Sequence, residues 1–357
     1  MPKGTVRSPS WLTASVKALE NEIAWSWSRD KIYRRCKREY YWAYYGSWGG
    51  WEDGATPTQR KARFLKKLSD VNRLVGDAIH TPIAKALHLR SPAERTPPFQ
   101  QITGEANEAF EHVVRLNGWR IGDVITDPSR GMGQLAERYY QLPDLDERLA
   151  LARVKLGANL DGLRQSLYAT IPFRHDARDL LWVDPVEHPA IMSRNEAMQA
   201  KRLTLDDGTL LYGSPDVVVK GTDGLVHIID WKTGRLSSPD DLQIGAYAFF
   251  IQRKLDVPLD TMRGHLVHFL APSEHQVVPI DGLVEKVALV RSMVGEFLAD
   301  LRARLTDPQL NRADDIERFP MIEPGPTCMR CSYRELCGRA ALGQPPAEDD
   351  EERGETA

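Results

Sequence analysis

The sequence predicts an α/β protein: a mixed central sheet flanked by helices, with a helical insertion ahead of it. Three observations predict this. Helical periodicity dominates residues 11–170, then gives way near Leu180 to short apolar runs separated by DDG and TDG turns. The runs Val217–Val219 and Val226–Ile229 flank Gly221-Thr222-Asp223-Gly224, the pattern of a β-hairpin. Beyond it, helical stretches alternate with β-like runs, as a sheet covered by helices requires.

Taken in order, residues 11–45 read as helical and end in KIYRRCKREYYWAYYGSWGGW. Ten aromatic residues lie from Trp25 to Trp51, interleaved with Arg34, Arg35, Lys37 and Arg38. Cations beside aromatic faces suit stacking on single-stranded bases. Packing of Tyr40, Tyr41, Tyr44 and Tyr45 against a core is the competing reading. Residues 1–75 carry 15 Lys and Arg against 7 Asp and Glu, although the whole chain has net charge −3. That head fits a phosphate-binding surface, or simply a solvated helix face.

A turn-rich connection, Gly46–Pro57, leads to a helix of mixed charge over Thr58–Leu74. Another helix starts near Gly76 and His80, with Pro82 and the SPAERTPP segment as its bounds. Taken alone, His80 reads as a packed or surface histidine. The helical stretch from Phe99 to Thr170 carries no chemical constellation and reads as a helical insertion or a second lobe framing access to the site. The organisation expected is therefore a basic, aromatic head (1–75), a helix (76–98), a helical insertion (99–175), the sheet-bearing core (176–305), a cysteine segment (306–341) and a disordered acidic tail (342–357).

The chemistry concentrates between Leu211 and Tyr247. Asp216 follows a Gly-Ser-Pro turn, and Asp230 and Lys232 close an apolar run 14 residues later. A hairpin of that length sets both carboxylates at the same end of adjacent strands. Lys232, two residues on, shares the face of Asp230, because side chains alternate with period two. Phosphodiester hydrolysis calls for a cation that neutralises the phosphate and acidifies the attacking water. Mg²⁺ or Mn²⁺ takes oxygen ligands of the kind Asp216, Asp230 and the Trp231 carbonyl offer. Lys232 is then placed to orient water or stabilise charge on the phosphate. The helix that follows has Ser238 as a candidate N-cap and Asp240 and Asp241 in its first turn.

Several function classes are excluded. No apolar run approaches the roughly 18–20 residues of a membrane span. The first residues lack the apolar stretch of a secretory leader, so a cytoplasmic location is expected. No G-x-x-x-x-G-K-[ST] sequence is present, so no helicase motor is encoded. The four cysteines are Cys36 and a C-x2-C-x5-C cluster of Cys328, Cys331 and Cys337. In a reducing compartment they point to a metal or cluster rather than disulfides. Their spacing leaves Zn²⁺ and an iron–sulfur centre open.

The segments Gly213–Asp216 and Asp230–Gly234 resemble the G-x-x-D and D-x-K-T-G motifs of the PD-(D/E)xK nuclease superfamily, in its RecB-like branch. Gly76 with His80 matches the upstream G-x-x-x-H of that branch, and Gln243 with Tyr247 its downstream Q-x-x-x-Y. The resemblance implies a restriction-endonuclease-like core with His80 as a further metal ligand and Gln243 and Tyr247 facing DNA. Glu187 also sits where relatives often carry a glutamate, and reads as structural rather than catalytic. One cysteine before the core and three after it is the layout of the iron–sulfur members, the AddB-like and CRISPR-associated exonucleases. It implies a structural 4Fe–4S cluster on Cys36, Cys328, Cys331 and Cys337. It further implies a nuclease acting on single-stranded DNA ends, with a helicase or CRISPR or defence components as partners. The alternatives are a catalytically silent scaffold of the same fold, or a zinc-stabilised regulator unrelated to cleavage.

Overall fold

The computed structural model describes residues 20–91, 96–234, 240–271 and 276–341. Ser238 and the tail from 342 onward therefore lie outside the described residues. The head comprises β1 (Ala24–Trp25), α1 (Trp27–Arg35), α2 (Lys37–Tyr41) with a π-turn over Trp42–Gly46, and α3 (Pro57–Leu65). Then come α4 (Val71–Leu89), α5 (Phe99–Arg115), the short α6 (Ala136–Tyr139), α7 (Leu145–Gln165) and α8 (Leu167–Arg174). The sheet-bearing part follows: β2 (Leu180–Val183), α9 (Arg194–Ala200), β3 (Arg202–Thr204), β4 (Leu210–Tyr212), β5 (Val217–Lys220), β6 (Val226–Lys232), α10 (Asp240–Leu255), β7 (Met262–His268), β8 (Val277–Ile280) and α11 (Leu283–Arg302). A β9–β10 ribbon (Leu305–Asp307, Arg312–Ala313) and α12 (Pro326–Arg330) close the described chain.

The main sheet runs β2-β5-β6-β7-β8. β5 and β6 form the expected antiparallel hairpin, from Lys220 opposite Val226 to Val217 opposite Ile229. β6 and β7 run parallel, because α10 carries the chain back across the sheet between them. The remaining pairs, β2 with β5 and β7 with β8, are antiparallel. This is the mixed, helix-flanked sheet the sequence predicts.

Alternation along the hairpin sorts side chains between two cores. Val218, Val226 and Ile228 pack with Ile244 and Phe250 of α10 and Val287 and Phe297 of α11. Val217, Val219, Ile229 and Trp231 pack with Ile79 of α4, Phe110 of α5 and Leu160 of α7. The 99–165 helices are thus the layer on one face of the sheet. Gly162 marks the closest approach: a Cβ there would collide with the Phe269 backbone.

Two local expectations need correction. The helical break falls at residues 66–70, before α4, rather than at Gly76. Asp70 caps α4 by accepting from the Arg73 N–H at 2.9 Å, and the helix runs straight through Pro82. Burial of Ala78, Ile79, Pro82, Ile83 and Ala86 along one stripe outweighs the hydrogen bond a proline forfeits.

The aromatic block is predominantly core. Trp25 and Tyr40 are 0% and 2% exposed, and Tyr33 and Tyr40 meet edge-to-face at 5.0 Å. Its interleaved cations are consumed by ion pairs: Arg34 with Asp30 and Glu296, Arg35 with Glu39, Lys37 with Asp300, Arg38 with Glu317. Base stacking by Tyr40 and phosphate binding by these four cations are set aside accordingly. The head is sewn to the core by β1, which pairs in parallel with β4. A third cluster joins Trp42, Phe64, Leu65, Tyr139 and Tyr140 to Tyr333 near the other end of the chain.

Candidate active site

Asp216 sits one residue before β5, at the end of the hairpin where β6 finishes in Asp230-Trp231-Lys232. The turn that aims it is fixed by the Trp182 indole N–H, which donates to the Pro215 carbonyl at 2.9 Å. Asp216 Oδ2 accepts the Trp231 backbone N–H at 2.6 Å, which locks the two strand ends together. Its Oδ1 lies 3.1 Å from His80 Nδ1, supplied by α4 from the opposite layer. Gly76 lets that helix come near the strand end: its position faces Thr233 Oγ1 across an ordinary van der Waals gap.

Lys232 Nζ lies 2.8 Å from Asp230 Oδ2 and donates to Gln243 Oε1 at 2.8 Å. Gln243 Nε2 then donates to the Tyr247 hydroxyl oxygen at 2.7 Å. The structure therefore brings together His80, Asp216, Asp230, Lys232, Gln243 and Tyr247, with Trp231 in the strand between the acid and the lysine. Parity explains the grouping. Asp230 and Lys232 face α10, and Gln243 and Tyr247 stand on the inward side of that helix one turn apart.

Electrostatics at this end are tense. Asp230 is 3% exposed, and burial raises its pKa to about 6, with the charge of Asp216 adding to the rise against the pull of Lys232. Its Oδ2 is buried, with the Lys232 ammonium 2.8 Å away as its ion-pair partner. At His80, burial opposes protonation, but the attraction of Asp216 and Asp230 prevails and lifts the pKa to about 9. Burial and the nearby acids push the Tyr247 hydroxyl well up, so it stays protonated. Among the described residues, no three His, Cys, Asp or Glu side chains stand as a preformed metal cage. Asp216 and His80 are turned toward each other.

Sequence reasoning missed Asp184. Its backbone N–H donates to the Asp216 carbonyl at 2.9 Å, its carboxylate pairs with Lys201 at 2.9 Å, and Ser214 donates to the same oxygen. Burial raises its pKa, with Asp216 contributing. Its only signal was an acid ending the Leu180–Val183 run. Glu187, three residues later, is exposed.

The cysteines also converge. Cys36 sits at the junction of α1 and α2, Cys328 in α12, Cys331 at its C-cap, and Cys337 beyond. All four are free thiols lining one small pocket. Arg339 donates to Cys328 Sγ at 2.8 Å, and the Tyr333 N–H to Cys331 Sγ at 3.4 Å. Burial pushes Cys331 well up, and Cys337 up as well.

A helix-wrapped mixed sheet with acids and a lysine gathered at one end of its hairpin defines the class as a nuclease core. The known-family comparison agrees: residues 24–338 match the PD-(D/E)XK nuclease superfamily, and the chain belongs to it. No individual curated protein matches the chain. No helix among the described residues is long and apolar enough to cross a membrane.

Proposed function

We propose that the protein is a Mg²⁺- or Mn²⁺-dependent deoxyribonuclease acting on single-stranded DNA ends, stapled by a 4Fe–4S cluster. The observation that carries the reading is the linkage at one strand end: His80 to Asp216, and Asp230 through Lys232 and Gln243 to Tyr247. Asp216, Asp230, the Trp231 carbonyl and His80 would hold the cation. The buried Oδ2 of Asp230, whose contact with Lys232 is an ion pair, and an all-oxygen-and-imidazole donor set fit a hard divalent ion. Such an ion, when bound, neutralises the phosphate and lowers the pKa of the attacking water.

The chain's own groups do the rest. In the metal-free state His80 carries a proton at neutral pH and Asp230 carries one only below about pH 6, and cation binding releases whichever protons are held. Lys232, held between Asp230 and Gln243, presents a fixed ammonium to charge developing on the phosphate. Tyr247, kept protonated, anchors the Gln243 amide so that its oxygen faces Lys232. Asp184 and Ser214 hold the turn that positions Asp216. Preference for single-stranded ends rests on the likeness to the RecB-like branch, as does a place in repair, CRISPR adaptation or defence beside a helicase or similar partner.

The four thiols share a pocket also lined by Glu39, Arg334 and Arg339, with Arg35 close by, so the arginines would offset the charge of a bound thiolate centre. A bound cluster ties the α1–α2 junction to the C-terminal segment, a structural rather than redox role. Zinc would use the same ligands, so iron and acid-labile sulfide analysis of anaerobically purified protein decides between them. The activity test uses end-labelled single-stranded, duplex and circular DNA with Mg²⁺ or Mn²⁺. Degradation of linear single strands, lost in Lys232→Ala and Asp216→Asn, is expected. Cleavage that survives in both variants would overturn the site assignment.

A further inference from the structure

The cations named in the sequence for nucleic acid are locked in ion pairs, yet a second set is not. Arg29 of α1, Arg63 of α3, Lys66 and Lys67 just after it, and Arg194 at the start of α9 form no ion pair among the described residues. They are close enough to repel one another: Arg29, Arg63 and Lys67 act on Lys66, and Arg63 and Arg194 act on Lys67. Burial, reinforced by that repulsion, lowers Lys66 to about 7. Arg63 Nε is buried with no hydrogen-bond partner. Isolated cations brought together in this way are unfavourable unless an anion occupies the space between them.

The set also has a direction. Arg29 stacks 4.3 Å from the Tyr44 ring centre and 5.5 Å from that of Tyr212. Tyr212 is the last residue before the Gly213–Asp216 turn, and the Gly213 N–H donates to the Lys201 carbonyl at 3.0 Å. Lys201 caps the helix that Arg194 begins and pairs with Asp184 beside Asp216. On the other flank, Lys66 and Lys67 line a pocket with Asp77 and Thr81 of α4, the helix that carries His80. The cations therefore border the approach to the hairpin end from two sides.

The occupant follows from what the rings are doing. Lys66 also sits over Tyr44, at 4.4 Å, and Arg63 over Trp51, at 4.9 Å. These aromatic rings already seat cations, so they position charge rather than stack on bases. We propose that Arg29, Arg63, Lys66, Lys67 and Arg194 form a track for the sugar-phosphate backbone of the substrate strand, which they hold without regard to sequence on its way to Asp216 and Asp230. This deepens the nuclease reading and rests on it for the identity of the anion.

The test measures binding apart from cleavage. Fluorescence anisotropy of a labelled oligothymidylate is followed across a salt series in EDTA, with Lys67→Gln/Arg194→Gln and the same pair plus Lys66→Gln, each also made in an Asp230→Asn background. The triple variant is expected to bind about tenfold or more weakly, with the slope of log affinity against log salt reduced by about 2, since each phosphate contact on a single strand contributes about 0.7. Removing mutually repelling charges should leave the Tm unchanged or higher, which separates lost binding from lost folding. The double variant, in which Arg194 is exposed, gives the same readout if the half-buried Lys66 proves intolerant. Arg178→Gln, which removes an exposed arginine paired with Asp176, is the single-charge control away from the track and should move the slope little. Folded variants with unchanged affinity and slope would overturn the track. Binding that depends on these cations, in a parent protein that never cleaves, would instead sink the nuclease reading and leave the track standing.

Discussion

Replacing Asp230 with asparagine should make the metal-free protein more stable while removing its activity. Asp230 is buried at the hairpin end, and its pKa stands near 6 against an ordinary 3.8. The sign follows from linkage. The folded state holds this proton more tightly than the unfolded chain, so the contribution to stability is full below pH 3.8 and lost as pH rises through 6. At pH 8 the ionised carboxylate therefore costs about 3 kcal/mol relative to its neutral form. Asparagine keeps the shape and removes the charge. Its gain is reduced because Lys232 and His80 lose an attractive neighbour, although Lys232 keeps Gln243 and His80 keeps Asp216. A net stabilisation of about 1–2 kcal/mol remains, a Tm rise of a few degrees. Thermal and urea melts in EDTA at pH 8 and pH 4.5, paired with the end-labelled DNA assay, measure it. The rise should shrink at pH 4.5, where wild-type Asp230 is protonated. A variant destabilised by more than about 1 kcal/mol at pH 8 would refute the account of a strained, functional carboxylate.

Affinity for Mn²⁺ should rise with pH between about 6 and 9, because Asp230 and His80 must shed protons to bind it; calorimetry showing pH-independent affinity and no proton release would count against His80 as a ligand. If each cysteine supplies one ligand of the proposed staple, Cys36→Ser should bleach the brown colour expected of anaerobic protein and lower its Tm as far as loss of Cys328; a Cys36 variant that retains iron and Tm contradicts this. Gly162→Ala should destabilise by about 3 kcal/mol or more, because its Cβ would meet the Phe269 backbone that carries the strand end; a chemical melt within about 0.5 kcal/mol of wild type would show that α7 can shift at no cost.

The hairpin was legible because its information is local: apolar runs of the right length, a glycine turn, and a 14-residue separation that puts Asp216 and Asp230 at one end. Period-two alternation likewise set Lys232 on the face of Asp230, and helical spacing set Gln243 beside Tyr247. The start of α4 was misjudged because Gly76 and Pro82 read as punctuation, whereas the Asp70 cap and a buried stripe govern that helix. Asp184 carried almost no local signal, since its importance comes from the backbone bond it makes to Asp216, 32 residues on.

Sequence by itself determined the mixed α/β class, the acids and lysine of the hairpin end, and the four cysteines as a set. Only the tertiary structure decided which cations are available to a ligand. Arg34, Lys37 and Arg38 look like a DNA-binding stripe until chain folding delivers Glu296, Asp300 and Glu317 from more than 250 residues away to neutralise them. Arg63, Lys66 and Lys67 look like one face of an ordinary charged helix until folding sets them beside Arg29 and Arg194, with no ion pair to any of the five among the described residues. Charge type is written in the residue, but whether a charge is spent or left over depends on which distant side chain the fold places within a few ångströms of it.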